Sequence, residues 1–123
     1  MILVDTVIWA DHIVRPETSL VKLLIAGEIA IHPFVIGELA LGNLRDRRVL
    51  SVLARLPSAP VAFESEVLMF IERHELHGSG IGYVDAHLLV AARLGDGALL
   101  WTRDRRLQAA ALKLGVSYEA RPS

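Results

Sequence analysis

Short apolar runs alternate along the chain with longer stretches in which apolar residues return every three or four positions. Ile2, Leu3 and Val4 form the first run, and three consecutive apolar residues with no polar alternation predict a short strand buried on both faces. Residues 6–13 predict a short helix, which must end before Pro16 because proline cannot continue it. Leu20, Leu23 and Leu24 have helical spacing from an expected cap at Ser19 to Gly27, and residues 28–32 read as a second strand. Pro33 suits the first turn of a helix running to about residue 44, and another covers 46–56 before Pro57 and Pro60 stop it. These two helices are expected to form a hairpin. Helical spacing returns over 64–76, with Val67, Phe70 and Ile71 inward and Glu66, Glu72 and Arg73 outward. Glycines at 78, 80 and 82 force a loop or a very short strand. A strongly apolar helix over 84–94 follows, then a strand over 98–102, a helix over 105–114 and a last strand over 116–119.

Strands alternating with helices to the end predict an α/β sandwich with a mainly parallel sheet. At 123 residues the chain is expected to be one domain, 1–123, without repeat or linker. In open parallel sheets ligands gather at the carboxyl ends of the strands. Asp5 closes the first apolar run, and Asp104 follows the run ending at Trp101 after two residues, so both acids are expected on that edge. Hydrophobic residues make up 53% of the chain with glycine left out. Typical domains reach ~45–50% with glycine included, so the surplus suits a helix face kept for a partner or a second copy. The lack of cysteine removes disulfides, thiolate nucleophiles and sulfur-ligated zinc, so any metal must bind oxygen or imidazole. No run approaches the ~18 apolar residues of a membrane span, and Asp5 interrupts the first run too early for a signal peptide. A soluble, cytoplasmic protein is expected. The net charge of -1 separates few partners, but 11 of the 13 basic residues are arginine, which favours bidentate contact with phosphate and carboxylate.

Asp5, Asp85 and Asp104 each stand at or near a predicted helix start, where aspartate caps free amides, and taken singly that explains them. Glu38 fits no cap, since it lies between Phe34 and Leu41 on the helical wheel and only Asn43 and Arg45 add further polarity to its helix. Burying such a carboxylate alone costs several kcal/mol or neutralises it, so it requires a cation, a donor or a wet cleft. Pairing with Arg45 is the structural alternative. Asp85 repeats the pattern, sharing its helix with only His87 and Arg93 as polar side chains. Four carboxylates at one sheet edge repel one another, and a hard divalent cation with oxygen ligands, Mg2+ or Mn2+, relieves that repulsion. Such a cluster suits metal-activated water attacking a phosphodiester. Thr6 and Thr102 are placed to support the acids through hydrogen bonds, or to satisfy turn backbone instead.

Four segments, ILVDTVIWA at 2–10, IGEL at 36–39, GYVDAHLL at 82–89 and LWTRDRRL at 100–107, resemble in order and spacing the motifs of PIN-domain ribonucleases, specifically the VapC toxins of bacterial VapBC toxin–antitoxin pairs. The resemblance implies a PIN-like three-layer α/β/α sandwich, with Asp5, Glu38, Asp85 and Asp104 as the catalytic, metal-binding acids. It implies Thr6 and Thr102 as supporting polar groups and Mg2+ or Mn2+ as the cofactor. The implied activity is endonucleolytic cleavage of RNA by a homodimer. A cognate VapB-like antitoxin holds such proteins inactive, its carboxyl-terminal segment lying along the helical hairpin, here roughly 20–56. Val7 departs from the family, which usually has serine or asparagine after the threonine.

Arginines bracket two of the acids, with Arg45, Arg47, Arg48 and Arg55 following Glu38 and with Arg103, Arg105 and Arg106 flanking Asp104. Arg103 and Arg105 are the expected contacts to an RNA backbone, which needs positive charge beside a cleft that repels phosphate. A solvated helix face and acidic antitoxin residues are the alternatives. Tyr83 is the one aromatic expected to stack on a base, while Trp9 and Trp101 are expected in the core. His74 and His77 are three apart, unlike the helical zinc pair, and read as surface; His12, His32 and His87 have no partner that the sequence identifies. An aspartyl phosphatase would need a second aspartate at position 7, and a receiver domain a lysine after a late strand; neither accounts for Glu38. The remaining competitor is a catalytically silent module of the same fold whose acidic pocket docks a basic partner segment.

Overall fold

Strands β1 (Ile2–Val4), β2 (Ile29–Ala30) and β3 (Leu99–Trp101) pair in parallel in the order β2-β1-β3 in a computed structural model that describes residues 1–119. Leu3 and Val4 on the central strand point to opposite faces, and at 1% and 0% exposure both are buried, so helices cover the sheet on each side. These helices are α1 (Thr6–Val14), α2 (Thr18–Ile25), α3 (Pro33–Leu41), α4 (Arg48–Leu53), α5 (Glu64–Arg73), α6 (Tyr83–Leu94) and α7 (Arg105–Lys113). The arrangement is the expected α/β/α sandwich. Its core joins Ile8, Trp9, Leu20, Ile29, Leu88, Leu100 and Leu107 around β1, with Trp101 also buried. Removing one such side chain from water contributes roughly 1.5–3 kcal/mol. No helix among the described residues is long and apolar enough to cross a membrane.

Pairing is thinner than the sequence predicts at both sheet edges. The second strand is regular only at Ile29 and Ala30, after which Ile31 makes a single parallel bridge to Ser58. Pro57 and Pro60 flank that bridge and have no amide hydrogen with which to extend it. The predicted strand over 116–119 is reduced to one bridge, Ser117 to Leu100.

Helix ends also differ from expectation, for local reasons. α3 stops at Leu41 because Gly42 turns extended, with φ −83° and ψ −178°. Arg47 then donates to the Ala40 carbonyl at 3.0 Å, satisfying one of the acceptors that a helix end leaves open. Ser19 is not a cap, since α2 begins at Thr18 with Glu17 in the cap position, two residues earlier than expected. α2 closes through Gly27 at φ +71°, which lets the Glu28 amide reach back to the Leu23 carbonyl at 3.0 Å. Glu75 takes the same role after α5, at φ +52°, and is the one non-glycine residue with positive φ among those described. Leu76 follows it into the core, its amide bonded to the Ile71 carbonyl at 3.0 Å.

One register pairing positions the chemistry. Val4 is opposite Trp101, so β1 and β3 end level with each other. The Asp5 amide donates to the Trp101 carbonyl at 2.9 Å, which sets Asp5 against the turn carrying Thr102 and Asp104.

Candidate metal centre

Asp5 is buried at the carboxyl end of β1 and is the N-cap of α1. Its Oδ1 accepts from the Thr6 amide at 2.7 Å, and its Oδ2 accepts from the Thr102 hydroxyl at 2.7 Å. Thr102 is itself buried and also accepts, through Oγ1, from the Asp104 amide at 3.1 Å. A single hydroxyl therefore links the acid after β1 to the acid before α7. Asp104 is the N-cap of α7, where its Oδ1 takes the amides of Arg106 at 2.9 Å and Leu107 at 3.0 Å. Asp85 lies in the first turn of α6, with Oδ2 accepting from the Gly82 amide at 2.9 Å. Glu38 is exposed on α3, and its Oε1 accepts from the Thr6 hydroxyl at 2.6 Å.

Capping and ligation thus do not compete for the same atoms. Among the described residues, Oδ2 of Asp104, Oδ1 of Asp85 and Oε2 of Glu38 have no hydrogen-bond donor. Glu38 is also not the buried acid that its apolar helix suggested: the missing donor is Thr6, and the carboxylate under the heaviest desolvation is Asp5.

Electrostatics link the four acids. Burial pushes the Asp5 carboxyl above the ordinary carboxylate value; hydrogen bonds from Thr102 and Thr6 oppose the rise, and the charges of Glu38 and Asp104 add to it. Asp85 is also pushed up, first by burial, against the Gly82 bond, and further by the charges of Asp5 and Asp104. The ion pairs among the described residues are Arg48 with Asp46 and Arg103 with Asp11 and Glu17, so none of the described side-chain cations is paired with these four carboxylates. An all-oxygen donor set with uncompensated negative charge fits a hard divalent cation. No three of the acids as placed are close enough to cage an ion, among the described residues. Mg2+ keeps several of its waters and takes only one or two carboxylates directly, a mode compatible with that spacing.

The remaining candidates separate. Arg103 donates to Asp11 at 2.9 Å and Glu17 at 2.8 Å, tying the end of β3 to α1 and to the start of α2. Arg105 has no ion pair among the described residues. Arg47 and Arg48 are engaged locally with Ala40 and Asp46. Tyr83 is half-exposed and stands edge-on to His87 at 4.8 Å, while His87 meets Phe34 at 4.6 Å. Val7 is exposed beside Thr6 and offers no polar group.

His32, which had no evident partner in the sequence, is fully buried as the N-cap of α3, its Nδ1 accepting from the Phe34 amide at 3.0 Å. Burial, reinforced by His87, pushes its pKa down to about 4. Its position directly before Pro33 was the available signal, because proline favours the first helical position and leaves the preceding residue as cap.

A family model described as the PIN domain matches residues 2–113. Ribonuclease VapC32 of Mycobacterium tuberculosis, from strains CDC 1551 / Oshkosh and ATCC 25618 / H37Rv, is in each case 48% identical over 118 residues, covering 95% of this chain and 95% of the relative. With a matching sandwich, with Asp5, Asp85 and Asp104 at helix starts and with Glu38 tied to Thr6 from within α3, this chain belongs to the PIN-domain family, among the VapC ribonucleases.

Proposed function

We propose that this chain is a divalent-metal-dependent endoribonuclease acting as the toxin of a type II toxin–antitoxin pair. One observation carries the reading: a PIN-domain chain has four electrostatically linked carboxylates and, among the described residues, no side-chain cation paired with them. Asp5, Glu38, Asp85 and Asp104 would hold Mg2+ or Mn2+. When bound, such an ion polarises the scissile phosphate and makes water a competent nucleophile near neutral pH. Asp5 is the fixed member, since Thr6 and Thr102 hold both its oxygens in place. Thr6 also restrains Glu38, so one residue orients acids from β1 and α3 together. Among the described residues, Asp85, Asp104 and Glu38 each keep one oxygen without a donor, which an ion or its waters would take.

RNA is the proposed substrate, consistent with the relative's designation as a ribonuclease. A cognate VapB-like antitoxin is the proposed partner. An apolar groove of about 340 Å3 between α1, α2 and α4, lined by Trp9, Ile13, Leu24, Val49 and Val52, supports its docking along the hairpin region. Leu68 and Met69 on α5, 57% and 73% exposed, offer an apolar face of the kind a homodimer covers. We take the working unit to be one domain, 1–123, acting in the cytoplasm.

The test incubates antitoxin-free protein with total RNA and Mg2+ or Mn2+, beside Asp5→Asn and Asp85→Asn. Cleavage abolished by chelator and by both substitutions is the expected result. Cleavage indifferent to all three refutes the reading, and equal inactivity of wild type and variants on every RNA favours the silent binding module.

A further inference from the structure

Beside the acidic edge, residues of β3 and the turn after it, the first half of α7 and residues 118–119 line an open cleft of about 470 Å3. Thr102, which holds Asp5 at 2.7 Å, forms part of its wall, so the cleft begins one side chain away from the acids. Arg105, Gln108 and Tyr118 also line it. None of these three side chains has a hydrogen bond or ion pair to another described residue, although each is polar and Gln108 and Tyr118 are half-buried. The neighbouring Arg103 differs, because Asp11 and Glu17 occupy its guanidinium.

We infer that this cleft is a subsite for one nucleotide of single-stranded RNA next to the scissile phosphate, with Gln108 and Tyr118 as residues that determine base preference. The inference rests on the ribonuclease reading and adds a substrate position to it. Pockets of roughly 300–1,000 Å3 accept small ligands, and the volume here falls at the lower end, as suits one nucleotide. Single-stranded RNA is read by stacking on aromatic rings and by hydrogen bonds to exposed base edges, for which Tyr118 and Gln108 supply a ring and an amide with both donor and acceptor. Arg105, the first residue of α7, supplies a planar cation for a backbone phosphate. Glu119, the carboxylate of the lining, opposes a second phosphate and can accept from an exocyclic amino group. Charge and hydrogen bonding therefore favour one phosphate and one base over a longer stretch of backbone.

The experiment maps cleavage ends on total RNA and measures steady-state kinetics on a site found with wild type, for wild type, Gln108→Ala and Tyr118→Leu, with thermal melts to check folding. Each variant should lower kcat/KM about 10- to 100-fold, mainly through KM, and relax the preferred base at one position flanking the cut. Gln108→Glu, which keeps the shape but removes the amide donors, should shift that preference rather than relax it. An unchanged cleavage profile and KM in folded Gln108→Ala and Tyr118→Leu overturns the inference while leaving the nuclease reading intact. Loss of antitoxin affinity with unchanged cleavage overturns it as well, assigning the cleft to the protein partner. Wild type that cleaves no RNA with any divalent cation overturns the nuclease reading and, with it, the subsite.

Discussion

Thr102→Val removes the hydroxyl on which two of the acids depend, at almost constant side-chain volume. Thr102 is 4% exposed, donates to Asp5 Oδ2 at 2.7 Å and accepts from the Asp104 amide at 3.1 Å. A hydrogen bond to a charged group contributes ~1.5–3 kcal/mol, and orphaning a partly buried amide costs about 1 kcal/mol more, so a loss of roughly 3 kcal/mol is expected. For a chain of this size that lowers the Tm by about 10 °C. The loss has a definite pH dependence. Burial raises the folded pKa of Asp5 above its unfolded value, and the Thr102 bond holds that rise in check. Valine lets the folded pKa rise further, so its penalty grows as pH climbs through the wild-type folded pKa towards the variant's, and is smallest at acid pH where Asp5 is protonated in both. Urea unfolding in chelator near pH 4 and pH 7.5 measures this, with Thr102→Ser as the variant that keeps the hydroxyl. A valine penalty under about 0.5 kcal/mol at the higher pH, the range of an inconsequential surface change, refutes the reasoning. So does a serine variant as unstable as valine, or a valine penalty larger at acid pH.

Asp85→Asn should raise the Tm of the metal-free protein at pH 7.5, because the folded pKa of Asp85 is raised and its ionisation opposes folding above the unfolded value. The gain should vanish near pH 3 and shrink in millimolar Mg2+, and a destabilised variant at pH 7.5 contradicts the repulsion it is meant to relieve. His32 gives the opposite slope: with its folded pKa lowered to about 4, its contribution is present above the unfolded pKa and lost as pH falls towards 4. That loss is about 3 kcal/mol, and His32→Asn, which keeps a cap acceptor, should flatten it in denaturant titrations. Glu75→Gly should stabilise the chain by about 1 kcal/mol by relieving the left-handed conformation that a side chain resists; an unchanged or lower midpoint of urea unfolding counts against that reading of the turn.

Most of the sandwich was legible because its signals are local. Consecutive apolar residues at 2–4, 29–31 and 98–101 and helical spacing elsewhere placed each element that the structure contains. The thin sheet edges were not legible: whether Ser58 and Ser117 form a ladder or a single bridge depends on neighbours brought in by the fold, not on their own propensities. The acids were found as deviations from an apolar pattern, and Asp85 is desolvated as its helix suggested, but Glu38 is exposed and the most buried of the four is Asp5. Glu38 looked stranded because Thr6 is 32 residues away in sequence and supplies its donor only after folding. Asp5 looked like an ordinary cap, which it is, while its second oxygen depends on a hydroxyl 97 residues away. Arg103 illustrates the same limit, since nothing near it in sequence points to Asp11 or Glu17.

The location of a bound divalent cation decides whether the four carboxylates form one metal-dependent centre. Diffraction from a crystal soaked in manganese, measured where the metal scatters anomalously, should give one or two peaks among Asp5, Glu38, Asp85 and Asp104, at least one within direct coordination distance of a carboxylate. Those peaks should disappear in an Asp5→Asn, Asp85→Asn double variant that still folds. A strong peak elsewhere with none among these acids, or peaks among them that survive both substitutions, contradicts the assignment of the four carboxylates to one metal-dependent centre.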